Sequence, residues 1–157
     1  MKKNDGDKKS ISTQTAHTLL KDLSRGGSLI KFSGTIQGNS MLPWIKDADT
    51  IKIVPITSKI KVGDIVACYE ESNSRFVAHR IIKTAHNNII TKGDNCFASD
   101  PDIKKEDLAG KVAEIYRKSV PVTFGLGTER HLIAILSRMN ILQLLTRIIR
   151  KMKFIFS

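Results

Sequence analysis

Arg75-Phe76-Val77-Ala78-His79-Arg80-Ile81-Ile82-Lys83 is rich in β-branched and apolar residues and contains neither Gly nor Pro. A run of this kind reads as a β-strand. Similar runs, rich in Ile, Val and Phe, lie on both sides of it, at residues 29–37, 50–56, 64–69, 88–92 and 110–117. Polar or Gly-containing turns separate them. Pro55 fits a strand end, Gly63-Asp64 a turn into the next strand, and His86-Asn87-Asn88 a hairpin loop. Several short strands with turns at this spacing predict a mainly β domain over residues 29–119. The long polar loop at residues 93–106, with Pro101 inside it, interrupts the pattern, and such loops in compact sheet domains often carry function.

The flanks read differently. Residues 1–28 are expected to be a disordered tail, polar over residues 1–10, and one short helix, residues 13–25, ended by Gly26-Gly27. Residues 120–157 begin as a Gly-containing linker and continue as a helical tract without Gly or Pro from Glu129. Leu132, Ile135, Leu136 and Met139 share one helical face, whereas Ile141, Leu142, Leu145, Ile148, Ile149 and Met152 share another. The rotation between them predicts a break near Asn140, with Asn140 and Gln143 at capping-box spacing. Gln143, Arg147, Arg150 and Lys151 gather opposite the second apolar face. This pattern suits a helix lying on a membrane surface through residues 141–153, and equally one packed on the chain's own sheet or on a partner. Arg138 and Arg147 weigh against a spanning helix, each costing about 2.5–3.5 kcal/mol at the centre of a bilayer.

The 157 residues are 41% hydrophobic, enough for a single domain with a real core. A net charge of +11 points to an anionic partner. Aromatics make up only 6% of the chain and no recognition motif is present, so nucleic acid is not expected. The two cysteines, Cys68 and Cys96, form no CxxC pair and the histidines lack zinc spacing, so neither metal nor cofactor is expected. Cys68 reads as a small buried hydrophobe, and its pairing with Cys96 is not legible. The charged N-terminus lacks the apolar run of a signal peptide. The expected location is therefore the cytoplasm or the periphery of a membrane.

Gly38-Asn39-Ser40-Met41-Leu42-Pro43 places a serine at a corner between two strand-like runs. A serine hydroxyl needs a base to become a nucleophile. Of the four histidines, His17, His86 and His131 fall on surface segments, while His79 sits within a strand and is the best base on offer. An orienting carboxylate could come from Asp94, Asp100 or Asp102 of the long loop, and spacing does not choose among them.

The stretches 38–43, 62–66, 78–81 and 91–95, followed by Asp100, occur in the order and approximate spacing of the type I signal peptidases. The resemblance covers residues 29–117. With His79 where the bacterial housekeeping enzymes carry a lysine, it is to the Ser-His-Asp branch of endoplasmic-reticulum, archaeal and sporulation-type enzymes. It implies a twisted, largely antiparallel β fold and a serine endopeptidase acting through an acyl-enzyme on a precursor peptide or preprotein. By motif position it implies Ser40 as nucleophile, His79 as general base, Asp100 as orienting acid and Asp94 as a second supporting acid. Gly38, Asn39, Ser40 and Met41 would line the oxyanion and substrate site, with the Ser40 N–H as donor. Gly38 stands where some members carry a second donor hydroxyl. Two other readings share the fold. A LexA/UmuD-like self-cleaving regulator would use a lysine base and an upstream Ala-Gly or Cys-Gly bond, which is absent before Ser40. The other is a non-catalytic binding module.

Overall fold

A computed structural model describes residues 32–70 and 75–155 of the chain, so the helix expected at residues 13–25 lies outside the described residues. The sheet comprises β1 (Phe32–Thr35), β2 (Thr50–Val54), β3 (Ile65–Glu70), β4 (Arg75–Ala85), β5 (Asn88–Lys92), β6 (Ile103–Lys104), β7 (Leu108–Arg117) and β8 (Val120–Pro121). Their order is β1-β2-β7-β3-β4-β5-β6, with β8 on the end of β7, and every pairing is antiparallel. The mainly β expectation holds. The short strands β6 and β8 carry too little apolar pattern to be read from sequence, and β6 falls inside the predicted loop.

Register irregularities at Lys52/Ile53, Ala67/Cys68 and Ile81/Lys83 add local twist. The sheet curls far enough that Phe32 of the edge strand β1 meets Phe76 of β4, ring centroids 6.4 Å apart, although β2, β7 and β3 lie between them in sheet order. The unbroken apolar run at the start of β3 explains its central place, since both faces must be covered. Ile65 and Ala67 enter one core with Met41, Ile45, Ile51, Ile53, Ala78, Val112 and Ile115. Val66 and Cys68 enter a second with Ile60, Ile81, Ile89 and Leu108. Both cysteines are free thiols, and burial pushes that of Cys68 up to about 12.

Two helices follow, α1 (Arg130–Arg138) and α2 (Ile141–Ile155), with the expected break between them. Asn140, at φ 61°, makes the turn in the left-handed region. It does not work as half of a capping box: its Oδ1 accepts from Lys92 Nζ, and Gln143 is engaged elsewhere. The orientation of the helices is the larger surprise. The apolar faces point outward, leaving Leu132, Ile135, Met139, Leu144, Leu145, Ile148, Ile149 and Met152 exposed. The inward side of α2 is Leu142, Gln143 and Thr146, and that of α1 is Ile133, Ala134 and Ser137. Among the described residues no single helix is long and apolar enough to cross a membrane, although the two together, bent by 89°, reach that length and apolar composition.

The helices are joined to the β domain by polar contacts. Lys92 Nζ donates to Ser137 O at 2.7 Å, at the carbonyl end of α1 where a cation is favoured. Burial lowers the Lys92 ammonium below its ordinary range. Gly63, at φ +96°, brings the turn before β3 against α1: a Cβ there would lie 2.8 Å from the Arg130 carbonyl group.

Candidate active site

Ser40 sits in a turn anchored from below. Met41 and Ile45 are buried in the first core, and full burial of each such side chain contributes about 1.5–3 kcal/mol. Ile45 N donates to Met41 O at 3.1 Å, closing a helical turn directly after the serine. Gly38, at φ +93°, starts the corner, and its N–H donates to Asp47 Oδ1 at 2.8 Å. The far side of the turn is fixed by Arg117, which donates to both carboxylate oxygens of Asp49, at 2.9 and 2.7 Å, and to Trp44 O at 2.9 Å. Burial works upward on Asp49, but Arg117 and the Lys46 N–H prevail and hold its carboxyl below the usual range.

His79 reaches this turn from β4. Its Nε2 lies 3.2 Å from Ser40 Oγ and its Nδ1 lies 2.7 Å from Asp100 Oδ2. A carboxylate only accepts, so the pairing places the ring proton on Nδ1 and leaves Nε2 free to accept from the serine. Asp100 is itself fixed twice over by Thr91 of β5: Thr91 Oγ1 donates to the same Oδ2 at 2.6 Å, and Asp100 N donates to Thr91 O at 2.9 Å. The His79 side chain is 11% exposed and that of Asp100 27%, so the pair is shielded at the ring and open at the acid.

Three of the four residues singled out in the sequence therefore meet, and the choice among the loop carboxylates is resolved geometrically. Asp100 contacts His79, and Asp102 is exposed. Asp94 stands apart from these three. It makes no hydrogen bond to His79 or Ser40 but is fully buried against Arg80, whose Nε and Nη2 donate to its carboxylate at 2.9 and 2.8 Å. Burial pushes the Asp94 carboxyl up, with Arg80 the main opposing influence. Arg80 Nη1 also donates to Gly63 O at 2.8 Å and Gly125 O at 3.0 Å. One buried guanidinium thus ties together the turn before β3, the linker before α1 and the long loop. Strand alternation accounts for this: His79 and Arg80 are neighbours in β4, so they project to opposite faces.

Sequence reasoning passed over Arg80, Thr91 and Asn95. A charged residue in mid-strand, followed directly by Ile81 and Ile82, is a usable signal for Arg80, whereas nothing local marks Thr91 or Asn95. Asn95 clasps the serine turn, its N–H donating to Ser40 O at 2.7 Å and its Nδ2 to Asn39 O at 3.1 Å. Gly93 permits the close approach, since a Cβ there would stand 2.8 Å from Ser40 O and 2.7 Å from Cys96 Sγ. Above Ser40 opens a cleft of about 550 Å³. Thr35 and Ile36 line one side, Phe76 to His79 the other, and residues 37–41 and Cys96 lie at its base. The expected group Gly38, Asn39, Ser40 and Met41 is part of this lining. Burial raises the Cys96 thiol above its ordinary range.

No family model matches the chain. It is 31% identical over 90 residues to the signal peptidase complex catalytic subunit SEC11 of Candida tropicalis, covering 49% of this chain and 54% of that protein. It is 28% identical over 91 residues to signal peptidase I U of Bacillus subtilis, covering 56% of this chain and 49% of that protein. The chain thus spans about half the length of the curated relatives it matches.

Proposed function

We propose that the chain is a serine endopeptidase of the type I signal peptidase kind that cleaves leader or signal segments from precursor peptides, a reading supported by its similarity to two signal peptidases over about half their length. The observation that carries this reading is the hydrogen-bonded series from Ser40 Oγ through the His79 ring to Asp100. Ser40 Oγ attacks the scissile carbonyl while His79 Nε2 takes its proton, and Asp100 stabilises the imidazolium that forms. The proton then passes to the leaving amine. Water, deprotonated by the same ring, hydrolyses the ester and frees Ser40. The Ser40 N–H is the oxyanion donor, and a donor of this kind is worth about 10²–10³ in rate. Gly38 brings no hydroxyl and its own N–H is held by Asp47. The exposed side chains of Gln37 and Asn39 also line the cleft.

The substrate runs extended through the cleft between the end of β1 and β4, with its backbone paired to strand edges. Small side chains are expected beside the cleavage point, as the family resemblance implies, where Ala78, Ser40 and Cys96 line the cleft. In this reading residues 29–119 form the catalytic domain, and residues 120–157 are a linker and a basic amphipathic helical tail. The test is incubation with a precursor peptide bearing an Ala-x-Ala site, in the presence of lipid. Wild type cleaves it in trans, and Ser40→Ala and His79→Ala do not. Equal cleavage by Ser40→Ala would remove the serine mechanism, and cleavage of the chain itself without action in trans would favour the self-cleaving regulator.

The outward apolar faces of α1 and α2, flanked by Arg138, Arg147 and Lys151, suit the surface of an anionic membrane. Replacing Leu145 and Ile149 with Gln removes two exposed apolar side chains and leaves the inward Gln143 and Thr146 untouched. Co-sedimentation with phosphatidylglycerol vesicles is expected to weaken by about tenfold or more. Unchanged binding would exclude this face as the membrane contact.

A further inference from the structure

The side of α2 turned toward the protein is polar where it meets the loop beside Ser40. Gln143 is fully buried and donates through Nε2 to Asp94 O at 3.0 Å and Cys96 O at 2.6 Å. Both acceptors are carbonyls, so the amide cannot be reversed without losing both bonds. Between these two carbonyls lies Asn95, whose Oδ1 accepts from Thr146 Oγ1 at 2.8 Å. The Thr146 hydroxyl has one proton, divided between Asn95 Oδ1 and the Gln143 carbonyl at 3.0 Å. With its Oδ1 turned to the helix, Asn95 directs Nδ2 to Asn39 O and its backbone N–H to Ser40 O. A continuous path of hydrogen bonds therefore runs from α2 through one asparagine to the carbonyl of the serine.

We infer that Gln143 and Thr146 are positioning residues for Ser40, holding the loop at residues 93–96 and, through Asn95, the distance between the serine hydroxyl and His79. The inference rests on the peptidase reading. Its physical basis is the lack of slack in the Ser40–His79 contact. At 3.2 Å this is the longer of the two bonds to the ring and lies near the outer limit for an effective hydrogen bond. Gly93 packs directly against Ser40, so a loop that lifts takes the serine turn with it. A misplacement of about 1 Å at a reacting group costs roughly 10²-fold in rate. The helix touches neither substrate nor reacting atoms in this arrangement, and its effect is entirely through geometry.

The test uses the full chain and three variants. Thr146→Val keeps the shape and removes the hydroxyl, Gln143→Met removes the amide donor, and Thr146→Ser keeps the hydroxyl. Cleavage of the Ala-x-Ala precursor is expected to show kcat lower by about 10- to 100-fold for the first two, with KM within about twofold, and near wild-type kcat for Thr146→Ser. In parallel, hydrogen exchange at the Asn95 amide, which bonds Ser40 O, is expected to speed up in the first two variants and not in the third. Unchanged kcat and unchanged Asn95 exchange in Thr146→Val and Gln143→Met would overturn the inference. So would an equal loss in Thr146→Ser, because the hydroxyl would then be irrelevant. A wild type that cleaves nothing overturns the peptidase reading instead, and the exchange measurement still decides whether the helix holds the serine turn.

Discussion

On the proposed peptidase reading, replacing Asp100 with Ala is expected to lower kcat for precursor cleavage by about 10³–10⁴-fold and to leave the protein folded. Two donors converge on Asp100 Oδ2, the His79 ring and the Thr91 hydroxyl. Without the carboxylate, His79 is free to turn or to carry its proton on Nε2, where it blocks acceptance from Ser40. The imidazolium formed during attack also loses its counter-charge. Asp100 is partly exposed, so water can reach the vacated donors and limit the structural cost. Asp100→Asn separates the two effects. If the amide oxygen takes the Oδ2 position, both donors keep their partner and only the charge is lost, so the residual activity of Asn over Ala measures orientation. The measurement is kcat and KM for each variant beside Ser40→Ala, with circular dichroism to establish folding. An Asp100→Ala enzyme within about tenfold of wild type would exclude Asp100 as the orienting acid.

The second large effect is on stability. Arg80→Met is expected to destabilise the fold by about 3–5 kcal/mol, read as a lower midpoint in urea. It leaves the fully buried Asp94 carboxylate without its ion pair and removes the donor from the Gly63 and Gly125 carbonyls. The loss depends on pH with a definite sign. Burial already pushes the Asp94 carboxyl up, and Arg80 is the main influence acting against it. In the variant the folded-state value rises further above the ordinary carboxylate value of about 3.9. A raised folded value means that the folded state binds the proton more tightly than the unfolded chain. The associated stability is present at low pH and is lost as pH rises through the folded value. The penalty of Arg80→Met is therefore smaller near pH 4 than at pH 8, and Arg80→Met combined with Asp94→Asn loses that pH dependence. An equal penalty at both pH values would mean that Asp94 is not the stranded charge.

The two buried or half-buried acids differ in a way the sequence does not announce. Gly93-Asp94-Asn95 and Ser99-Asp100-Pro101 are both good turn sequences with an acid in the middle. Their roles diverge because the loop folds back on both faces of β4. Asp94 is carried to the Arg80 side and Asp100 to the His79 side. Family motif position favoured Asp100 but could not say that Asp94 would be withdrawn into an ion pair. The same holds for α2. Its two-sided pattern was plain, but the expected arrangement put Gln143 with the basic residues on the polar face, and the structure turns Gln143 into the protein. Buried carbonyls at Asp94 and Cys96 need donors, and meeting that need outweighs covering Leu145 and Ile149.

By itself, the sequence determined what depends on near neighbours along the chain. Strand and helix periods, turn chemistry at Gly63 and His86, the break at Asn140 and the placement of His79 on a rigid strand all follow from local propensity and alternation. Only the tertiary structure decided which donor meets which acceptor. The curl that brings β1 to β4, the separation of Asp94 from Asp100, and the grip of Gln143 and Thr146 on the serine loop join residues far apart in the chain. Those pairings are set by closing the sheet and by supplying partners to buried polar groups on several elements together, a condition that no local stretch of sequence contains.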